Sequence, residues 1–103
     1  MDIPLIYQEM IDLLPRGSEN PMPLKEVASL LHLDKRTVLE YANAISIHYG
    51  VPILASRKYQ RNGLYIPVTE KERREGLIPL KNQVLEMTKR IDAIERAELL
   101  ETI

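Results

Sequence analysis

The sequence predicts a mainly α protein with a small β-hairpin, an α+β chain that finishes on a long C-terminal helix. Three observations predict it. Apolar residues recur with a helical period from Pro4 to Leu14 and again from Leu24 to Tyr49. Between Val51 and Val68 the period falls to two, and from Leu77 to Ile94 apolar residues alternate in steps of three and four. At 103 residues the chain is one domain with at most one protruding element, divided here into residues 1–68 and a C-terminal helix over 69–103.

In the first helix, Pro4 suits the opening position, and Ile6, Met10, Leu13 and Leu14 form one stripe with Leu5 beside them. "PRGSENPMP", Pro15 to Pro23, holds three prolines and a glycine and is expected as a surface loop, with Met22 and Pro23 able to add a very short edge strand. Leu24, Val27, Ala28 and Leu31 mark a second helix. Asp34 can cap a third, from about Lys35 to Tyr49, whose inner stripe is Val38, Ala42, Ile45 and Tyr49 and which stops at Gly50. "VPILAS" and "GLYIPV" read as strands with Asn62-Gly63 as the turn signal, and Pro52 and Pro67 confine them to edges or ends. Thr69 and Glu72 form a capping box that starts the last helix, in which Gly76 and Pro79 predict a bend or break near "GLIP". Beyond it Leu77, Leu80, Val84, Met87, Ile91 and Ile94 make a heptad seam, and the closing "ELLETI" is expected to remain helical.

Composition excludes several chemistries. With no cysteine there can be no disulfide, thiolate nucleophile or Cys-ligated metal. His32 reads as a turn residue and His48 as a partly buried helix residue, with no second ligand at metal spacing. No nucleophile with a base, converging carboxylates or Gly-rich phosphate loop is visible, so neither an enzyme nor a cofactor or small-molecule ligand is expected. No apolar run could cross a bilayer and "MDIPLIYQEM" lacks the parts of a signal peptide, which makes a soluble, cytoplasmic protein the expectation. The net charge of −1 is unevenly spread. From Lys35 to Tyr65 five basic residues face the single acid Glu40, net +4, while the flanks hold nine basic and fourteen acidic residues, net −5.

The stretch "LKEVASLLHLDKRTVLEYANAI", Leu24 to Ile45, puts two short helices around a turn of about three residues. Such a corner needs a small residue where the helices cross, here Ala28, an apolar anchor after the turn, Leu33, and an apolar inner face on the second helix, Val38 with Tyr41 or Ala42. In these positions it resembles helix-turn-helix regulators, and "LDKRTV" is similar to the start of their recognition helices. His32 departs from the pattern, since that turn position usually takes glycine to accommodate a positive φ. The hairpin narrows the resemblance to the winged helix-turn-helix form over about Leu5 to Val68. "SRKYQRNGLYIPVTEKE" followed by a helix is similar to small winged-helix proteins encoded by phages and mobile elements of Gram-positive bacteria.

The resemblance implies double-stranded DNA as partner, with residues 35–49 as recognition helix and 57–63 as wing. Helical spacing turns Lys35, Arg36, Glu40 and Asn43 outward. Arg36 would then reach a guanine edge, Asn43 an adenine and Glu40 a cytosine amino group, while Thr37 and the free N–H groups of the helix start suit a phosphate. On the wing, Arg57, Lys58 and Arg61 supply charge and Tyr59 packs along a sugar. The same face could instead meet an acidic protein, which leaves a protein-interaction adaptor as the alternative. Two seams could pair into a homodimer presenting two recognition helices, or the seam could fold back on the first helix and complete the monomer core.

Overall fold

A computed structural model describes residues 2–58 and 61–100, with only the backbone of Arg61. It contains α1 (Leu5–Leu13), α2 (Leu24–Leu31), α3 (Lys35–Tyr49), β1 (Leu54–Lys58), β2 (Arg61–Tyr65) and α4 (Glu70–Arg96). The architecture is therefore mainly helical with one two-stranded antiparallel sheet.

The first three helices and the inner edge of the sheet enclose one core. Met10, Val27, Val38 and Ile45 are fully buried at its centre, with Leu14, Ala28, Ala42, Leu64 and Ile66 around them. Tyr7 meets the rings of Tyr41 and Tyr49 edge to face, with centroids 5.1 and 5.9 Å apart, and so fastens α1 to α3.

The α2–α3 corner closes as the sequence requires. His32 adopts φ 56° and ψ 42°; its N–H donates to the Ser29 carbonyl, and the Leu33 N–H donates to the Ala28 carbonyl at 2.9 Å. This pair of bonds is the Schellman arrangement, in which one left-handed residue lets the chain turn while satisfying the last helical carbonyls. Leu33 packs against the core beyond it, and Gly50, also left-handed, ends α3. Ser46 fixes the exit from α3: its hydroxyl donates to the Val51 carbonyl at 2.9 Å and accepts from the Ile53 N–H.

Several elements differ from expectation. Lys58 pairs with Arg61, so Asn62 and Gly63 are ladder residues opposite Arg57 and Ser56 and do not form the turn. Gly63 is glycine for another reason: at φ 150° a Cβ there would overlap the Met22 carbonyl. Met22 bonds reciprocally with Leu64, at 2.9 and 2.8 Å, and supplies the short edge pairing read from the sequence. At the other end of the same loop the Gly17 N–H donates to Ile66 and the Ile66 N–H to Pro15. Residues 15–23 are thus hemmed along β2 with Gly17 and Pro21 buried, more than a surface loop, because pairing satisfies backbone groups that its prolines and glycine leave outside any helix. His48 is exposed, not partly buried, because it falls on the α3 flank turned away from the core.

Helix α4 is not broken at "GLIP". Pro79 lies inside it, and Gly76 is where the helix crosses the sheet, since a Cβ there would meet Leu54 and the Tyr65 hydroxyl. The helix ends at Arg96 with Ala97 extended, so residues 98–100 do not continue it as expected; the rest of "ELLETI", 101–103, lies outside the described residues. From Lys81 onward every described residue is exposed. The seam therefore does not fold back on α1. With extents of 54 × 32 × 29 Å the radius of gyration is 17.1 Å, against roughly 13 Å for a compact chain of this length; the difference is the projecting half of α4. No described helix is long and apolar enough to cross a membrane.

Candidate nucleic-acid interface

Helix α3 buries the side bearing Val38, Ala42 and Ile45, which turns Arg36, Glu40, Asn43 and Ile47 to the opposite side. Arg36 is nearly fully exposed, with its side chain at 90%, and its Nε lies 3.3 Å from Glu40 Oε1. This pair is held through solvent-screened charge and contributes little to stability, so Arg36 can leave it at small cost. Lys35 is exposed beside it.

The helix start is less open to an anion than its sequence suggests. Asp34 Oδ1 accepts from the Thr37 N–H at 2.7 Å, and hydrogen bonds from the Thr37 backbone and hydroxyl hold the Asp34 carboxyl below its ordinary range, with Arg36 adding attraction. The Thr37 amide is consequently taken by the cap and not free for phosphate, and a carboxylate occupies the approach.

The hairpin brings Arg57 beside this helix. Asn43 and Arg57 line one depression with Leu39, Ala55 and, from α4, Pro79, Leu80 and Gln83. On the other flank of Leu39, Lys35 borders a second depression with Ser56, Asn62 and Gly63. Lys35, Asn43 and Arg57 are therefore gathered around the junction of α3 and the sheet. Lys58 is exposed and joins Arg57 in an adjoining cleft with Ser18, Tyr65, Glu72 and Glu75, which places two carboxylates in the lining it shares. In that cleft burial raises the Tyr65 hydroxyl above its ordinary pKa, and the charges of Glu72 and Glu75 add to the effect. Tyr59 and the Arg61 side chain lie outside the described residues.

Three participants in this face were not legible in the sequence. Ile47 is 75% exposed on the outermost stripe of α3, and Leu80 with Gln83 forms the α4 wall beside Asn43. Helical spacing gives the position of Ile47, but its proximity to Leu77 and Leu80 depends on where α4 crosses the sheet. The six seam residues divide accordingly. Leu77 and Leu80 line a depression with Asn43, Ile47 and Ile53, whereas Val84, Met87, Ile91 and Ile94 project past the domain, each more than half exposed. Among the described residues no group of three or more His, Asp or Glu side chains could hold a metal ion. No protein-family model matches the chain, and no curated protein or solved structure is significantly similar to it.

Proposed function

We propose that the chain is a winged helix-turn-helix protein that binds double-stranded DNA as a homodimer, a transcriptional regulator or accessory DNA-binding factor of a phage or mobile element. One observation carries the reading: exposed Lys35 and Asn43 on α3 adjoin the hairpin, with Asn43 and Arg57 lining the same depression and Arg36 exposed on the same helix. A helix enters the major groove by an outer face of this kind, while a neighbouring basic ribbon contacts backbone or minor groove. Supporting it, the left-handed turn at His32 and the anchoring of Leu33 hold α3 at the edge of the core with its polar face outward. The segment from Lys35 to Tyr65 carries net +4 although the whole chain is at −1, so attraction to phosphate is local.

A protein-interaction adaptor is the second reading, favoured by Leu39 and Ile47, 45% and 75% exposed on the same helix. Retention of random duplex DNA in a gel shift at low salt separates the two. Retention supports DNA binding, and its absence under conditions where the chain is folded selects the adaptor. Selection of bound sequences from a random pool then reads half-site spacing, which a dimer fixes.

A further inference from the structure

The geometry points to an antiparallel pairing of α4 with a second copy of the chain, in which the partner's Ile91 and Ile94 enter the depression between α3 and α4. This deepens the homodimer part of the proposed function and specifies its direction and extent.

The seam is neutral and self-complementary: Leu77, Val84 and Ile91 alternate with Leu80, Met87 and Ile94, with no charge among the six. Its free part is too small alone. Eight side chains from the two overhangs, each offering well under roughly 100 Å², fall short of the roughly 1,000 Å² a specific interface requires. The pairing must therefore include Leu77 and Leu80. Those two residues face the chain's own domain, since they line a depression with Asn43, Ile47, Ile53 and Leu54.

This decides the direction. In a parallel, in-register pair both domains would lie at the same end and on the seam side of their helices, each occupying the space the other's first heptad needs. In an antiparallel pair centred between Val84 and Met87, Leu80 meets the partner's Ile91 and Leu77 meets the partner's Ile94. The stretch of helix arriving there is exposed on all sides, with no described residue packed against it from Lys81 onward. It fills the apolar depression and covers Ile47. The flanking positions agree: Lys81 and Glu95, neither in an ion pair among the described residues, come within reach across the interface, and Gln83 faces the partner's Arg90. Asn43 then sits at the rim of the dimer contact, which ties its freedom to read a base to assembly.

The chain has no cysteine, so single substitutions report direction cleanly. Leu80→Cys and Ile91→Cys chains, both altered at positions about half exposed, are checked by circular dichroism, then oxidised separately and after refolding together. Antiparallel pairing gives a covalent dimer only in the mixture, with neither variant cross-linking alone. Efficient cross-linking of each variant by itself, absence of any cross-link, or an unaltered chain that is monomeric by light scattering overturns the inference. The readout uses no DNA, so its failure leaves the DNA-binding reading standing, and failure of the gel shift leaves the cross-link unaffected.

Discussion

The Glu72 carboxylate accepts a hydrogen bond from the Ser18 N–H at 2.6 Å, joining the first turn of α4 to a loop 54 residues earlier. Its other oxygen accepts from the Val68 N–H at 2.9 Å, while the Glu72 N–H donates to the Thr69 hydroxyl. The capping box read from "TEKE" therefore exists in altered form. Its acid reaches past the cap residue to Val68 and across to the loop that pairs with β2, so one side chain starts the helix and anchors residues 15–23.

This geometry makes stability pH-dependent. Backbone hydrogen bonds from Val68 and Ser18 lower the Glu72 pKa from the ordinary 4.5 to about 2. A depressed folded-state pKa stabilises the fold above the ordinary value, and that contribution is lost as pH falls from 4.5 toward 2. Glu72→Gln should lower the melting temperature at pH 7, and the gap from the parent chain should close across that acid range. A gap that persists unchanged at pH 2 would refute the assignment.

His32 bears a left-handed backbone that costs a non-glycine residue about 1–2 kcal/mol. Its side chain is exposed. His32→Gly should therefore raise stability by roughly 0.5–1 kcal/mol, after allowing for the greater freedom of glycine in the unfolded chain. Urea denaturation measures this, and a loss of stability would show that the imidazole has a role in the turn.

Gly63 should tolerate no side chain. Gly63→Ala combines an unfavourable φ of 150° with overlap of the Met22 carbonyl, and should cost about 3 kcal/mol in urea denaturation. If Asn62-Gly63 were instead the hairpin turn, free of neighbours, the loss would be near 1 kcal/mol.

On the DNA-binding reading, Arg57→Ala should reduce the slope of log affinity against log salt by about 1, the signature of one lost phosphate contact. Arg36→Ala should cost about 1–3 kcal/mol on the selected site and less on random duplex. Neither should alter the melting temperature, since both side chains are exposed. Binding isotherms at three salt concentrations that leave affinity and slope unchanged for both variants would exclude this face.

Val84→Lys with Ile91→Lys should convert a dimer into a monomer with unchanged helical content, because both side chains are more than half exposed in the single chain. Light scattering and circular dichroism together test this. Unfolding of the doubly altered chain would mean that α4 supports the domain through these residues.

Where structure follows from local rules, the sequence alone determined it. The bounds of α2 and α3, the Asp34 cap, the left-handed turn at residue 32 and the start of α4 all rest on contacts within four or five residues. The outward stripe of Arg36, Glu40 and Asn43 follows from helical period once Val38 and Ile45 are known to be inside. Tertiary structure decided what depends on distant segments. Gly63 reads as a turn until Met22 is seen against it, Gly76 reads as a helix breaker until the helix is seen crossing Leu54 and Tyr65, and Pro79 continues the helix instead of ending it. Whether Leu77 and Leu80 belonged to a free seam or to a depression beside Asn43 was likewise undecided by spacing, because periodicity says which side of a helix is apolar and nothing about which neighbour that side meets.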